Sequence, residues 1–181
     1  MAEEKKKRPG KRDHLNDFYK DVSGQYVYGG AMYTNGLTPA QHKRFILRLW
    51  LCAGGSLLGQ IAAGCIPAAG MGDGFWVLPF YLGTIISTIM VCWAMWELTD
   101  GGEPMREYIY NASVGKLPRR CEFGMVFGGL SVAGLVIRLI VSGLAGGTLW
   151  ATVLFVAIQI GTVCALFLVK KMLQSTHWSK K

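Results

Sequence analysis

"FGMVFGGLSVAGLVIRLIVSG", residues 123–143, carries a single charge, Arg138, in an otherwise apolar and small-residue run. As a helix rising 1.5 Å per residue it covers about 30 Å, the hydrocarbon thickness of a bilayer. A helix of a water-soluble domain needs a polar stripe for its wet face, and this stretch has none. It reads as a transmembrane span. Three further blocks read the same way, from about Phe45 to Ile66, Phe75 to Leu98 and Leu149 to Val169.

Composition agrees. Hydrophobic residues make up 51% of the 181 and charged residues 17%, and the charge collects in residues 1–48, 97–122 and the tail rather than in the blocks. The glycine-rich "PAAGMGDG" (67–74) and "SGLAGGT" (142–148) are short enough to close adjacent spans into hairpins. The expected fold is therefore an all-α integral membrane protein, with four transmembrane helices arranged as two helical hairpins. Its organisation is a basic N-terminal segment (1–37), hairpin 1 (38–98), a connecting loop (99–122), hairpin 2 (123–169) and a basic tail (170–181). About 44 mostly polar residues precede the first span, so that span is expected to insert as an uncleaved signal anchor.

Lysine and arginine positions set the orientation. Ten lie in residues 1–48, four in the middle loop (Arg106, Lys116, Arg119, Arg120) and four in the tail (Lys170, Lys171, Lys180, Lys181); neither short turn has any. Both termini and the middle loop are expected in the cytoplasm, of a protein of the plasma membrane. Trp50, Trp93 and Trp96 then fall toward the inner ends of their spans, and Phe75, Trp76 and Trp150 toward the outer ends. Tryptophan favours both interfaces, where its ring is in hydrocarbon and its N–H near water.

The cytoplasmic segments carry their own signals. "KKKRPGKR" (5–12) reads as a topology determinant or a solvated tail, with Lys5, Lys6, Lys7 and Arg8 available to anionic lipid head groups. No aromatic–basic platform accompanies the net charge of +8, so nucleic acid is not an expected partner. "YVYGGAMY" (26–33) suggests a small β-hairpin turning at Gly29-Gly30, because glycine suits both central positions of a two-residue turn. Thr38, Pro39 and Gln41 form a helix start, with a capping box expected between Thr38 and Gln41. In the middle loop Pro104 suits a first helical position. Met105, Tyr108, Ile109 and Ala112 then recur at helical spacing, which predicts a short amphipathic helix, lying on the inner membrane surface or packed on the hairpin. Asn111-Ala112-Ser113 matches a glycosylation pattern, but on the cytoplasmic side the match is fortuitous.

Small residues are expected to mark close helix contacts, since lipid supplies no hydrophobic drive between helices. Gly55, Gly59 and Ala63 in span one, and Gly124 and Gly128 in span three, recur at steps of four. Arg138 shares its helical face with Gly124, Gly128, Ser131 and Gly134, so it should point into the bundle, roughly 8 Å from the outer end. At comparable depth are Gln60, Tyr81 and Thr84, with Gln159 deeper, and the only acid on the outer side is Asp73. A guanidinium there keeps its proton and needs a partner. Three roles are open: a staple to Asp73, turn carbonyls or lipid phosphates; the cation of an anion site lined by Gln60, Tyr81 and Thr84; or a pair with an acid of another subunit.

The five cysteines are scattered, with Cys65 alone near the outer side, so no structural disulfide is expected. His14, His42 and His177 are far apart, and no metal site, cofactor motif or catalytic constellation is read. The expected function is a non-catalytic accessory or interaction subunit, engaging another membrane protein or a second copy of itself. The alternative is a small oligomeric transporter of an anion or small solute using Arg138.

Overall fold

The structure is a computed structural model that describes residues 18–68, 75–142 and 149–180. Four helices dominate: α1 (Pro39–Gly64), α2 (Leu78–Asp100), α4 (Leu117–Ser142) and α5 (Leu149–Ser175), with the one-and-a-half-turn α3 (Glu107–Ala112) between α2 and α4. All four are long and apolar enough to cross a membrane. They pack as a ring in the order α1–α2–α4–α5, with α5 closing on α1. One end of the bundle collects the start of α1, the α2–α4 connection and the end of α5, and is called here the terminal end. The opposite one is the turn end.

The helices outrun the apolar blocks at the terminal end. There α1 begins at Pro39 rather than near Phe45, α4 begins at Leu117 rather than Phe123, and α5 continues to Ser175 rather than Val169. Each overhang is ~9 Å of helix. The α1 start is fixed chemically: Thr38 Oγ1 accepts from the Gln41 N–H (3.4 Å), and the Thr38 N–H donates to Gln41 Oε1 (3.1 Å). Pro39, lacking an N–H, costs nothing at the first position.

The overhangs carry five short strands: β1 (Phe18–Lys20), β2 (Tyr26–Tyr28), β3 (Met32–Thr34), β4 (Met105–Arg106) and β5 (Ser179–Lys180). A hairpin is present in the N-terminal segment, but with a different partner strand from the one expected around Gly29-Gly30. Tyr26–Tyr28 pairs backward with Phe18–Lys20, in the register Phe18↔Tyr28 and Lys20↔Tyr26. The turn is at Asp21–Gln25, where Gly24 takes φ +82°. Neither Gly29 nor Gly30 has positive φ. Met32–Thr34 instead becomes the centre of a three-stranded antiparallel sheet, β4–β3–β5. Its neighbours are the middle loop (Tyr33↔Met105) and the tail (Thr34↔Ser179). A lone two-stranded ribbon is marginal, and distant aromatic partners outweigh the local turn. Tyr33 stacks on Tyr110 at 4.2 Å, and Tyr110 meets Trp178 at 5.6 Å.

The amphipathic segment of the middle loop is shorter than expected. Met105 and Arg106 are extended in β4, and the helix starts at Glu107. Its apolar stripe is occupied by protein: Tyr108 lies edge-on to Tyr28 at 6.4 Å, and Ile109 and Tyr110 pack on the core below. Arg106 spans the gap to the hairpin, its guanidinium 5.5 Å from the Phe18 ring centre and 5.6 Å from that of Tyr28.

Inside the bundle the buried residues repeat every three or four positions: Leu49, Ala53, Ser56, Gln60 and Ala63 on α1, and Phe155, Gln159, Thr162, Leu166 and Val169 on α5. They form three layers. An apolar cluster at the terminal end includes Leu49, Val91, Met95, Leu117, Leu166 and Val169. A second at the turn end includes Ala63, Val77, Tyr81, Leu135 and Phe155. Between them every helix contributes small or polar residues. The outward surface is the reverse, with Leu58, Ile86, Ile137, Ile140 and Leu154 among many exposed large apolar side chains.

Candidate functional site

The middle layer is the candidate site, and its members follow from helix periodicity. Gln159 and Thr162 stand three apart on α5 and so share a face, opposite Gln60 of α1. Gln60 Nε2 donates to Gln159 Oε1 (3.2 Å) and to Thr162 Oγ1 (2.9 Å), and Gln159 Nε2 donates back to Gln60 Oε1 (3.1 Å). Both glutamines are fully buried. The two Gln60 donor hydrogens are thus both engaged, and the carbonyls answer one another. Reciprocal pairing of this kind is what an amide needs in a medium without water, because an unpaired one costs ~1–3 kcal/mol.

α2 completes the second side. The Tyr81 hydroxyl donates to the backbone carbonyl of Gln60 at 2.6 Å, crossing from α2 to α1. Gly64 makes room for it: a Cβ there would stand 2.5 Å from the Tyr81 hydroxyl. Thr84 and Ser87 are also buried, but their hydroxyls bond back to carbonyls of their own helix, those of Phe80 and Gly83. α4 supplies the close approach. A Cβ on Gly128 would lie 2.9 Å from Val163 of α5 and 3.8 Å from both Gln159 and Thr84. One on Gly124 would lie 2.6 Å from Leu166. Ser131 is fully buried in the same stripe.

The glycine ladder of α1 is placed differently. Gly55 is exposed with open space where its Cβ would be, and Gly59 meets only Ile158, at 3.4 Å. Steps of four advance 400° and drift around the helix. The interior stripe of α1 therefore runs through Ser56, Gln60 and Ala63, and Gly55 falls outside it. The tight seam lies on α4, at Gly124, Gly128 and Gly134.

Arg138 continues the buried stripe of α4 beyond Ser131 and Leu135, toward the turn end, and is half-buried. Asp73, its expected staple partner, lies outside the described residues, as do residues 69–74 and 143–148 of the two glycine-rich turns and Lys5, Lys6, Lys7 and Arg8. The structure thus brings Gln60 and Tyr81 into one network with Gln159 and Thr162, sets Thr84 beside it, and leaves Arg138 about two turns along α4 from Ser131. Thr162 was the member missed; its i+3 spacing from Gln159 was the available signal.

Chemically the layer is neutral. Its amides and hydroxyls recognise one another, and among the described residues no group of three His, Cys, Asp or Glu gathers as a metal site. The ion pair of Lys170 with Glu122, at 2.8 Å, lies instead at the terminal end, as do the contacts of His42 with Glu103 at 3.3 Å and of Trp93 Nε1, donating to Glu97 at 2.9 Å. No protein-family model, curated protein or solved structure matches the chain.

Proposed function

We propose that this chain is a four-span integral membrane protein of the plasma membrane, with its terminal end in the cytoplasm, that acts without catalysis as an accessory or interaction subunit. The observation that carries the membrane placement is the inverted polarity of the bundle. Glutamine, threonine and serine are buried at its centre while leucine, isoleucine and valine are exposed around it. In water both choices would be costly; in hydrocarbon both are required. Trp150 and Lys170, at either end of the apolar part of α5, are ~30 Å apart along the helix, which suits one bilayer.

The cytoplasmic placement rests on the basic residues: among the described residues eleven of twelve lie at the terminal end, Arg138 being the exception. It predicts a labelling result. In a chain with its own cysteines replaced by alanine, a membrane-impermeant maleimide on intact cells should modify Pro67→Cys, and should modify Asn111→Cys only after permeabilisation. Labelling in the opposite pattern would invert the orientation.

The accessory reading is favoured over transport by the closed middle layer. A transporter using Arg138 with Gln60, Tyr81 and Thr84 as pocket walls would need donors free to meet its anion. The Gln60 amide and the Tyr81 hydroxyl are engaged with protein. The test is photocrosslinking from exposed positions such as Trp93 and Ile140 in native membranes. An accessory subunit should give one discrete adduct from one face, matched by a stoichiometric partner or second copy on mild extraction. Absence of adducts, together with anion flux in liposomes holding the chain alone and lost in Arg138→Gln, would favour the transporter.

A further inference from the structure

We infer that the outer groove between α2 and α4 is a binding site for one anionic phospholipid, an inference that rests on the membrane placement proposed above. The groove has a volume of about 590 Å³. Along its length it is lined by Gly83, Ile86 and Met90 of α2 and Phe123 and Phe127 of α4. Gly83 gives it its depth: a Cβ there would stand 2.7 Å from the Phe127 ring, so only glycine lets that ring settle against α2. From Met90 to Gly83 the apolar floor runs ~10 Å along the helix, enough for the upper half of an acyl chain.

At the terminal end of the groove, and only there, stand Lys116, Arg119 and Arg120. Lys116 and Arg119 are exposed, while Arg120 leans across the mouth, with Nη1 donating to the Met90 carbonyl at 2.9 Å. That bond fixes the guanidinium over the floor and leaves its other N–H groups for a phosphate. The adjacent acid, Glu122, does not neutralise the cluster, because it is engaged by Lys170. An apolar trough that holds the upper half of an acyl chain and ends in three cations, at the depth of the proposed cytoplasmic head groups, matches a lipid with a negative phosphate and no compensating amine. A zwitterionic lipid fits the trough but loses part of the charge pairing. A peptide helix would need a wider, shallower face.

The test is native mass spectrometry of the full chain purified in detergent and titrated with phosphatidylglycerol or phosphatidylcholine of identical acyl chains. One phosphatidylglycerol per chain should be retained, at least tenfold more tightly than phosphatidylcholine. Lys116→Gln/Arg119→Gln/Arg120→Gln should reduce phosphatidylglycerol to the phosphatidylcholine level. Met90→Trp, which fills the trough and leaves the charge, should weaken both lipids. If the triple variant does not stay monodisperse, the exposed Arg119→Gln alone should still lower retention severalfold. Equal retention of both lipids by the wild type, full retention by the charge variants, or displacement of the lipid by inorganic phosphate would overturn the inference. Carbonate extraction separates the two readings: a chain that leaves the membrane refutes the membrane placement, and one that stays but shows no lipid preference refutes only the groove.

Discussion

Gly134→Ala should lower the thermal midpoint of the detergent-solubilised protein by roughly 5–10 °C, the consequence of ~2–3 kcal/mol of overpacking in a chain this size. A Cβ at Gly134 would collide with the backbone carbonyl of Trp76. A side chain in the way can rotate aside. A carbonyl at the mouth of α2 cannot move without carrying Val77, the α2 N-cap and a fully buried member of the turn-end cluster. Gly129 is the control on the same helix, with nothing within 4 Å of its Cβ, and Gly129→Ala should be neutral or slightly stabilising through helix propensity. Equal melting of the two variants in a scanning fluorescence assay would remove the α4 seam as a determinant of the fold.

The second large effect is a reversal. Gln60→Leu and Gln159→Leu should each destabilise by about 1–3 kcal/mol, because the first strips Gln159 of its partner and the second leaves the Gln60 carbonyl and one of its N–H groups buried without one. The double variant should recover most of that loss, since two leucines of similar volume leave no amide to satisfy and only the Thr162 hydroxyl loses a partner, which its own helix can supply. Measured as a double-mutant cycle in detergent, the coupling should be at least ~1 kcal/mol and favourable. Additive losses would mean the two amides act independently, and the network would lose its claim to join α1 to α5.

The four helices were legible because a span of apolar residues has one solution in lipid, and the capping box at Thr38 because two side chains announce it locally. The middle layer was half legible. Gln60, Tyr81 and Gln159 stand out as polar residues within apolar spans, but their relative depth follows from the sequence only if the turn ends of the helices are flush. Gln60 lies four residues from the end of α1, while Gln159 lies ten from the start of α5, and they are hydrogen-bonded. The ends are staggered by ~9 Å. No local feature of either helix encodes that offset; it is set by the pairing itself. The strand partners at the terminal end were opaque for a similar reason. Tyr26–Tyr28 looked forward to a glycine pair and instead folded back on Phe18–Lys20, while Tyr33 found Met105 and Lys180. Three-residue strands carry too little pattern to choose among partners so far apart in the chain. Gly55 was misplaced by a step of four that looked like a seam and was a drift.

The β4–β3–β5 sheet also imposes an order on how the molecule is made. β3 precedes all four long helices in the chain and β5 follows the last of them, so β3 leaves the ribosome first. Until Ser179 and Lys180 emerge, β3 can hold β4 and nothing more, so one edge of the sheet stays open throughout insertion. Its closure joins chain segments that lie before and after all four long helices. With the helices spanning a bilayer as proposed, a chain in which one failed to insert would hold β5 on the opposite side from β3, where the two could never pair. On that reading the small sheet would register topology: β5 completes it, and Trp178 meets Tyr110, only in a chain whose four helices are all threaded.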